Sequence, residues 1–136
     1  MNALVETIAS QSIFVLEDDP VHRLLLEHEF EADRYSLNSA ADATSAMALI
    51  ANGRNYKVGI FDLKVPIGLG EPPTTDSSLR VITAARNAFP SMVIFTISSI
   101  ILTEDVKARL KELGVKSILP KPFSMDVLHD LVDSTQ

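Results

Sequence analysis

Three stretches of this chain end an apolar run on residues that carry charge: IFVLEDDP at 13–20, KVGIFDLKVP at 57–66 and SILPKPF at 117–123. Glu17 and Asp18 follow the first run, Asp62 closes the second and Lys121 follows the third, while Ser98 follows another apolar run at 92–97. Such short apolar runs read as strands buried on both faces of a parallel sheet. Open α/β sheets bind ligands at the carboxyl ends of their strands, so these residues read as one site. If the first and third strands are neighbours, Glu17, Asp18 and Asp62 meet within a few ångströms, and like charges that close are unfavourable unless a cation sits among them. Carboxylates with few other ligands suit Mg2+, which keeps several waters and completes its octahedron with a phosphate oxygen. A carboxylate beside such a metal, with a lysine and a hydroxyl to neutralise the outer oxygens, can attack phosphorus, and Asp62 would become an aspartyl phosphate. That chemistry rests on charge placement and needs neither histidine nor cysteine.

The elements that must hold this site follow from punctuation and periodicity. A strand at 13–16 is stopped by Glu17-Asp18-Asp19-Pro20, where Asp19 caps a helix and Pro20 takes its first position. That helix runs to about residue 32, with Val21, Leu24, Leu25 and Phe30 as its expected inner stripe. A weaker strand spans 35–40, and Asp42 or Thr44 caps a second helix through Met47, Leu49 and Ile50 that ends at Asn52-Gly53. After the strand at 57–62 comes IGLGEPPTTDSS, whose glycines, prolines and hydroxyls predict a loop without helix or strand over 67–77. It exceeds the ~2–6 residues usual for such connections, and is expected to be mobile until phosphate or a partner orders it.

Helical spacing returns at 77–89, and the run at 92–97 predicts a central strand. Thr103 and Glu104 open a helix lined by Val106, Leu110 and Leu113 and ended by Gly114; a fifth strand covers 115–119; Ser124 caps a last helix with Val127, Leu128, Leu131 and Val132 inside. Strand and helix alternate throughout, which predicts an α/β fold with a parallel sheet and helices on both faces. Residues 1–11, with Met1, Leu4, Val5 and Ile8 at helical spacing, are expected to form a short helix or a loose tail ahead of one domain at 12–136.

Composition narrows the partners. With 46% apolar and 22% charged residues, a 136-residue chain is one globular domain. Its 18 acids against 12 bases, net −6, argue against nucleic acid. The absence of cysteine excludes disulfides and thiolate chemistry. No signal peptide or membrane-spanning run is present, so the expected location is the cytoplasm, with no membrane partner. His22, His28 and His129 lack a second ligand at useful spacing and read as solvated or packed.

Taken together, Glu17-Asp18, Asp62, Ser98 and Lys121-Pro122-Phe123 resemble the receiver domain of two-component response regulators over residues ~12–135. In that family an acidic pair follows the first strand, the phosphorylated aspartate ends the third, a Thr or Ser ends the fourth and Lys-Pro follows the fifth. The resemblance implies a flavodoxin-like, doubly wound, five-stranded sheet of order 2-1-3-4-5 with five helices in three layers. It implies phosphate transfer to Asp62 from a sensor histidine kinase or histidine phosphotransfer protein. It also implies Mg2+ held by Glu17, Asp18, Asp62 and the backbone carbonyl of Lys64, and a signalling relay that is not an enzyme. Three features depart from the family: the expanded loop at 67–77, with no glycine where one usually opens the third helix; Lys64 at a variable position beside the site; and Ile118 where an aromatic switch residue often stands.

Other functions fit less well. A receiver-fold binding module that has given up phosphate is the alternative, yet it would be favoured by loss of Asp18, Asp62 or Lys121, and all are present. A haloacid-dehalogenase-like phosphohydrolase needs a second aspartate two residues past the first, where Lys64 stands. A flavin carrier of this fold places a phosphate loop after the first strand, where Glu17-Asp18-Asp19 would repel an anion.

Overall fold

A computed structural model describes residues 12–33, 35–52 and 54–136 of the chain. The expected helix or tail at 1–11 and the helix-ending Gly53 lie outside the described residues.

In chain order the elements are β1 (Ser12–Leu16), α1 (Pro20–Glu31), β2 (Ser36–Ala40), α2 (Ala43–Ile50), β3 (Val58–Asp62), β4 (Val65–Pro66), β5 (Pro73–Thr74), α3 (Thr75–Ala88), β6 (Val93–Ser98), α4 (Glu104–Glu112), β7 (Val115–Pro120) and α5 (Met125–Asp133). The main sheet has the order β2-β1-β3-β6-β7, all parallel. This is the expected doubly wound α/β fold, and it makes β1 and β3 neighbours, with Leu16 opposite Phe61.

Strand alternation divides the core in two. Phe14, Leu16, Phe61 and Ile94 face Ala46 of α2, Val81, Ile82 and Ala85 of α3, and Leu110 of α4. Ile13, Val15, Ile60, Phe95 and Ile97 face Leu26 and Phe30 of α1 and Leu128 and Val132 of α5. Gly59, in the middle of β3, is a packing requirement: a Cβ there would clash with the ring of Phe61 and come within 2.8 Å of Met92 Sδ.

Every helix among the described residues starts on a side-chain cap. Asp19 accepts from the amides of Val21 and His22, Asp42 from Ser45, Thr74 from Ser77, Thr103 from Val106 and Ser124 from Val127. Gly114, at φ +73°, ends α4 in the left-handed conformation that glycine tolerates best. Arg86 fastens the far ends of α3, α4 and β6 by donating to the carbonyls of Leu113, Pro90 and Met92.

The structure corrects several expectations. The inner residues of α1 are Leu26 and Phe30, whereas Val21, Leu24 and Leu25 are mostly exposed. Four apolar residues in the helix's first two turns left its phase ambiguous, and the sheet selects the face that carries Leu26. Met47 of α2 and Val127 of α5 also face outward for much of their surface. The segment at 67–77 is not structureless. Its base is the antiparallel pair β4–β5, with Val65 opposite Thr74 and Pro66 opposite Pro73, and α3 already begins at Thr75. Proline on both sides removes two amide donors, which keeps this ladder short.

Candidate functional site

The site is built where β1, β3, β6 and β7 end. Glu17 continues β1, its amide donating to Ala40 O at 3.0 Å, and its side chain is fully buried. Asp62 is the last residue of β3 and is 5% exposed. One lysine joins them: Lys121 Nζ lies 2.7 Å from Glu17 Oε1 and 3.0 Å from Asp62 Oδ2. Its backbone amide donates a hydrogen bond to Ser98 O at 2.7 Å, so β6 positions the residue that follows β7. Asp62 Oδ1 accepts from the Lys64 amide at 3.1 Å.

Asp18 completes the acidic set: Glu17, Asp18 and Asp62 each offer a carboxylate oxygen, all within 4.8 Å of one another. Glu17 Oε2 is buried and meets no hydrogen-bond donor. Burial, reinforced by Asp62, pushes the Glu17 carboxyl up to about 8, against the pull of Lys121. Asp18 is raised too, by burial and then by the Asp62 charge. Burial alone would lower Lys121, but the bonds to Glu17 and Asp62 outweigh it and its ammonium is held above the usual range. Two acids raised by burial and by the neighbouring Asp62, with an unpartnered buried oxygen on Glu17, form a donor set that fits a hard divalent cation.

A cleft of about 940 Å³ opens over these residues, bounded by Asp18, Asp62, Lys64 and Lys121 on one side and by Leu25, Phe123 and Met125 on another. Pro73 of β5 contributes to its rim, so the expanded segment does reach the site. Lys64 is exposed and lines this cleft.

Ser98 stands where expected, at the end of β6, and the neighbouring Ile97 pairs with Asp62. Its hydroxyl is turned to the backbone: it donates to Ile100 O at 3.2 Å and accepts from Ile100 N at 3.1 Å. Ser99 lines the cleft instead. β6 ends at Ser98, so strand alternation no longer dictates where Ser99 points. Thr96 is wholly buried.

Two contacts escaped the sequence reading. His22 Nδ1 lies 3.0 Å from Glu17 Oε1, and Arg23 Nη1 donates to Glu17 O at 3.0 Å. The signal for both was present: once Asp19 caps and Pro20 starts a helix, its first turn returns over the residues just before it.

No family model matches the chain, and no curated protein matches it in sequence. Solved structures match it in shape. A CheY-like response regulator receiver domain protein from Methanospirillum hungatei superposes with a TM-score of 0.75 at 19% identity, covering 92% of this chain and 95% of that one. The receiver domain of Francisella response regulator 1452 gives 0.73 at 25% identity, with 92% and 95% covered. A Burkholderia pseudomallei response regulator, solved with a phosphorylated aspartic acid, a calcium ion and citrate, gives 0.72 at 19% identity over 90% of this chain and 66% of that one. The fold of this chain is the CheY-like fold of response-regulator receiver domains.

Proposed function

We propose that this protein is a phosphoacceptor receiver in a two-component phosphorelay, taking phosphate onto Asp62 from a histidine kinase or histidine phosphotransfer protein and signalling by protein contact. The observation that carries the reading is the convergence at one cleft of Asp62, two further acids and a lysine that touches both Asp62 and Glu17.

Glu17, Asp18, Asp62 and the Lys64 carbonyl would hold Mg2+, which when bound shields the acids from one another and neutralises a phosphoryl oxygen. The protein's own residues do the rest. An Asp62 carboxylate oxygen attacks the phosphorus of the donor phosphohistidine; the new O–P bond forms as the N–P bond breaks, and the departing imidazole keeps the electron pair. Lys121 turns its ammonium from the Asp62 carboxylate to the phosphoryl group, offsetting the charge that develops there. The Lys64 amide, already bonded to Asp62 Oδ1, fixes the carboxylate plane. Ser98 would reach the phosphoryl group only by releasing Ile100, which ties acceptance of phosphate to the backbone just after β6. The protein turns over no metabolite in this scheme and acts as a switch. Among the described residues no helix is long and apolar enough to cross a membrane.

Intact-mass measurement after incubation with Mg2+ and a small acyl phosphate tests this. The wild-type protein should gain one phosphate, only with the metal, and Asp62→Asn should gain none. An unchanged wild-type mass, under conditions that label an ordinary receiver, would replace this reading with a phosphate-independent binding module.

A further inference from the structure

Helices α1 and α5 share one face of the sheet, and Leu26, Phe30, Leu128 and Val132 form the apolar part of their seam. Its polar part is organised around His129. His129 Nδ1 lies 2.6 Å from Glu29 Oε2, and Nε2 lies 2.8 Å from Asp33 Oδ2 and 3.6 Å from Asp133 Oδ1. The ring packs on Phe30, with centroids 5.0 Å apart, and only 16% of the side chain is exposed. Among the described residues every titratable group around it is acidic or phenolic: Glu29 from α1 and Asp33 from the turn just after it, Asp126, Asp130 and Asp133 from its own helix, and Tyr35, whose hydroxyl donates to Asp133 Oδ1 at 2.6 Å. No lysine or arginine among the described residues lines this recess.

A neutral imidazole has one N–H donor and an imidazolium has two. Carboxylates within hydrogen-bond distance of both ring nitrogens therefore select the imidazolium. We propose that His129 is a pH-sensitive staple that holds α5 to α1 through Glu29 and Asp33 while protonated and loosens the seam when it loses its proton. Deprotonation must turn one ring lone pair toward a carboxylate, replacing a charge-assisted bond with repulsion. The staple joins the two helices that spring from the site, since α1 is capped one residue after Asp18 and α5 three residues after Lys121. Loosening it would let the acid turn and the lysine turn shift relative to one another.

The electrostatics agree with the geometry. The bond to Glu29 leads in raising the His129 pKa; burial opposes it, and Asp33 and Asp133 add to the rise. For a group raised on folding, stabilisation is fully present below the ordinary histidine value and is lost as pH rises through the elevated one.

The test is an NMR titration of the full chain across roughly pH 6–9, reading the His129 ring shift and amide exchange in α5, with α3 amides as internal reference. His129 should titrate above the ordinary histidine value. Relative protection of α5 should fall as it does so, by up to about tenfold for each unit of elevation. In His129→Gln, α5 protection should be low and flat with pH while β6 amides stay protected. Glu17, whose carboxyl burial pushes up to about 8, is common to both proteins and cancels in the comparison. Should His129→Gln fail to fold, Glu29→Gln should still lower the His129 titration point. The proposal is overturned if His129 titrates at or below the ordinary value, or if wild-type α5 tracks α3 throughout. It also fails if α5 keeps its pH dependence without His129.

Discussion

Lys121 serves two acids from different strand ends, so removing it should act on stability as well as on the proposed switch. Its contacts to Glu17 and Asp62 place it in a nearly buried ion triad, and breaking a buried pair is far more harmful than never having made one. Lys121→Ala should destabilise the metal-free protein by about 3 kcal/mol, the lower end for such a loss, because Glu17 is already inclined to take up a proton. Denaturant unfolding measures this. Phosphorylation of Asp62 in that variant should no longer shift the NMR signals of Ser98–Leu102; a normal response there would remove Lys121 from the switch. At this scale the sequence was highly informative for groups fixed by strand ends: Glu17, Asp18, Asp62 and Lys121 meet as expected. It was uninformative for His129, whose partners Glu29 and Asp33 lie about a hundred residues away and are brought to it only by helix packing. It could not place Ser99, because alternation holds only while the strand lasts.

The elements were legible in type and order, and their faces less so. Buried runs such as Val58–Asp62 are apolar throughout and declare themselves. α1 carries leucine at 24, 25 and 26, so periodicity could not choose the inward side, and only packing against the sheet and the neighbouring α5 decides it. The segment after β3 was opaque for a different reason: its glycine and proline content reads as loop, and a ladder of Val65–Pro66 against Pro73–Thr74 is too short to show any period. That ladder is braced from outside, since Thr44 at the start of α2 donates both its amide and its hydroxyl to Ile67 O, at 2.9 and 2.8 Å. The segment is therefore a hairpin with an anchored base and an exposed tip, which changes how it should be shortened. Removing 67–75 would take away Thr74, the cap of α3. Replacing only 68–72 with a tight turn should leave stability within about 1 kcal/mol while changing the lifetime of the Asp62 phosphate or the choice of partner severalfold. Dephosphorylation and transfer rates in the shortened variant check this, and rates equal to the parent's would make the hairpin idle.

Over the whole molecule, the charge at the site would couple the binding of a cation to folding. The native state gathers three carboxylates that the unfolded chain keeps apart, so a cation that binds only the native arrangement stabilises it by about 2.7 kcal/mol at a hundred times its Kd. Mg2+ should accordingly raise the melting temperature. Asp18→Asn should raise it without metal and abolish the added effect of Mg2+. If Asp18→Asn instead lowers it and leaves Mg2+ affinity unchanged, Asp18 is a structural turn residue. The hairpin offers a way to watch such events directly. Leu69 is 99% exposed at its tip, next to Gly70 at φ +85°, and the chain contains no cysteine. A single thiol introduced as Leu69→Cys would be the molecule's sole point of attachment for a maleimide fluorophore. It would perturb no packed side chain and would sit on the arm that leads down to Pro73 at the rim of the cleft. The feature that departs most from the receiver pattern is thus also the natural place to mount a reporter.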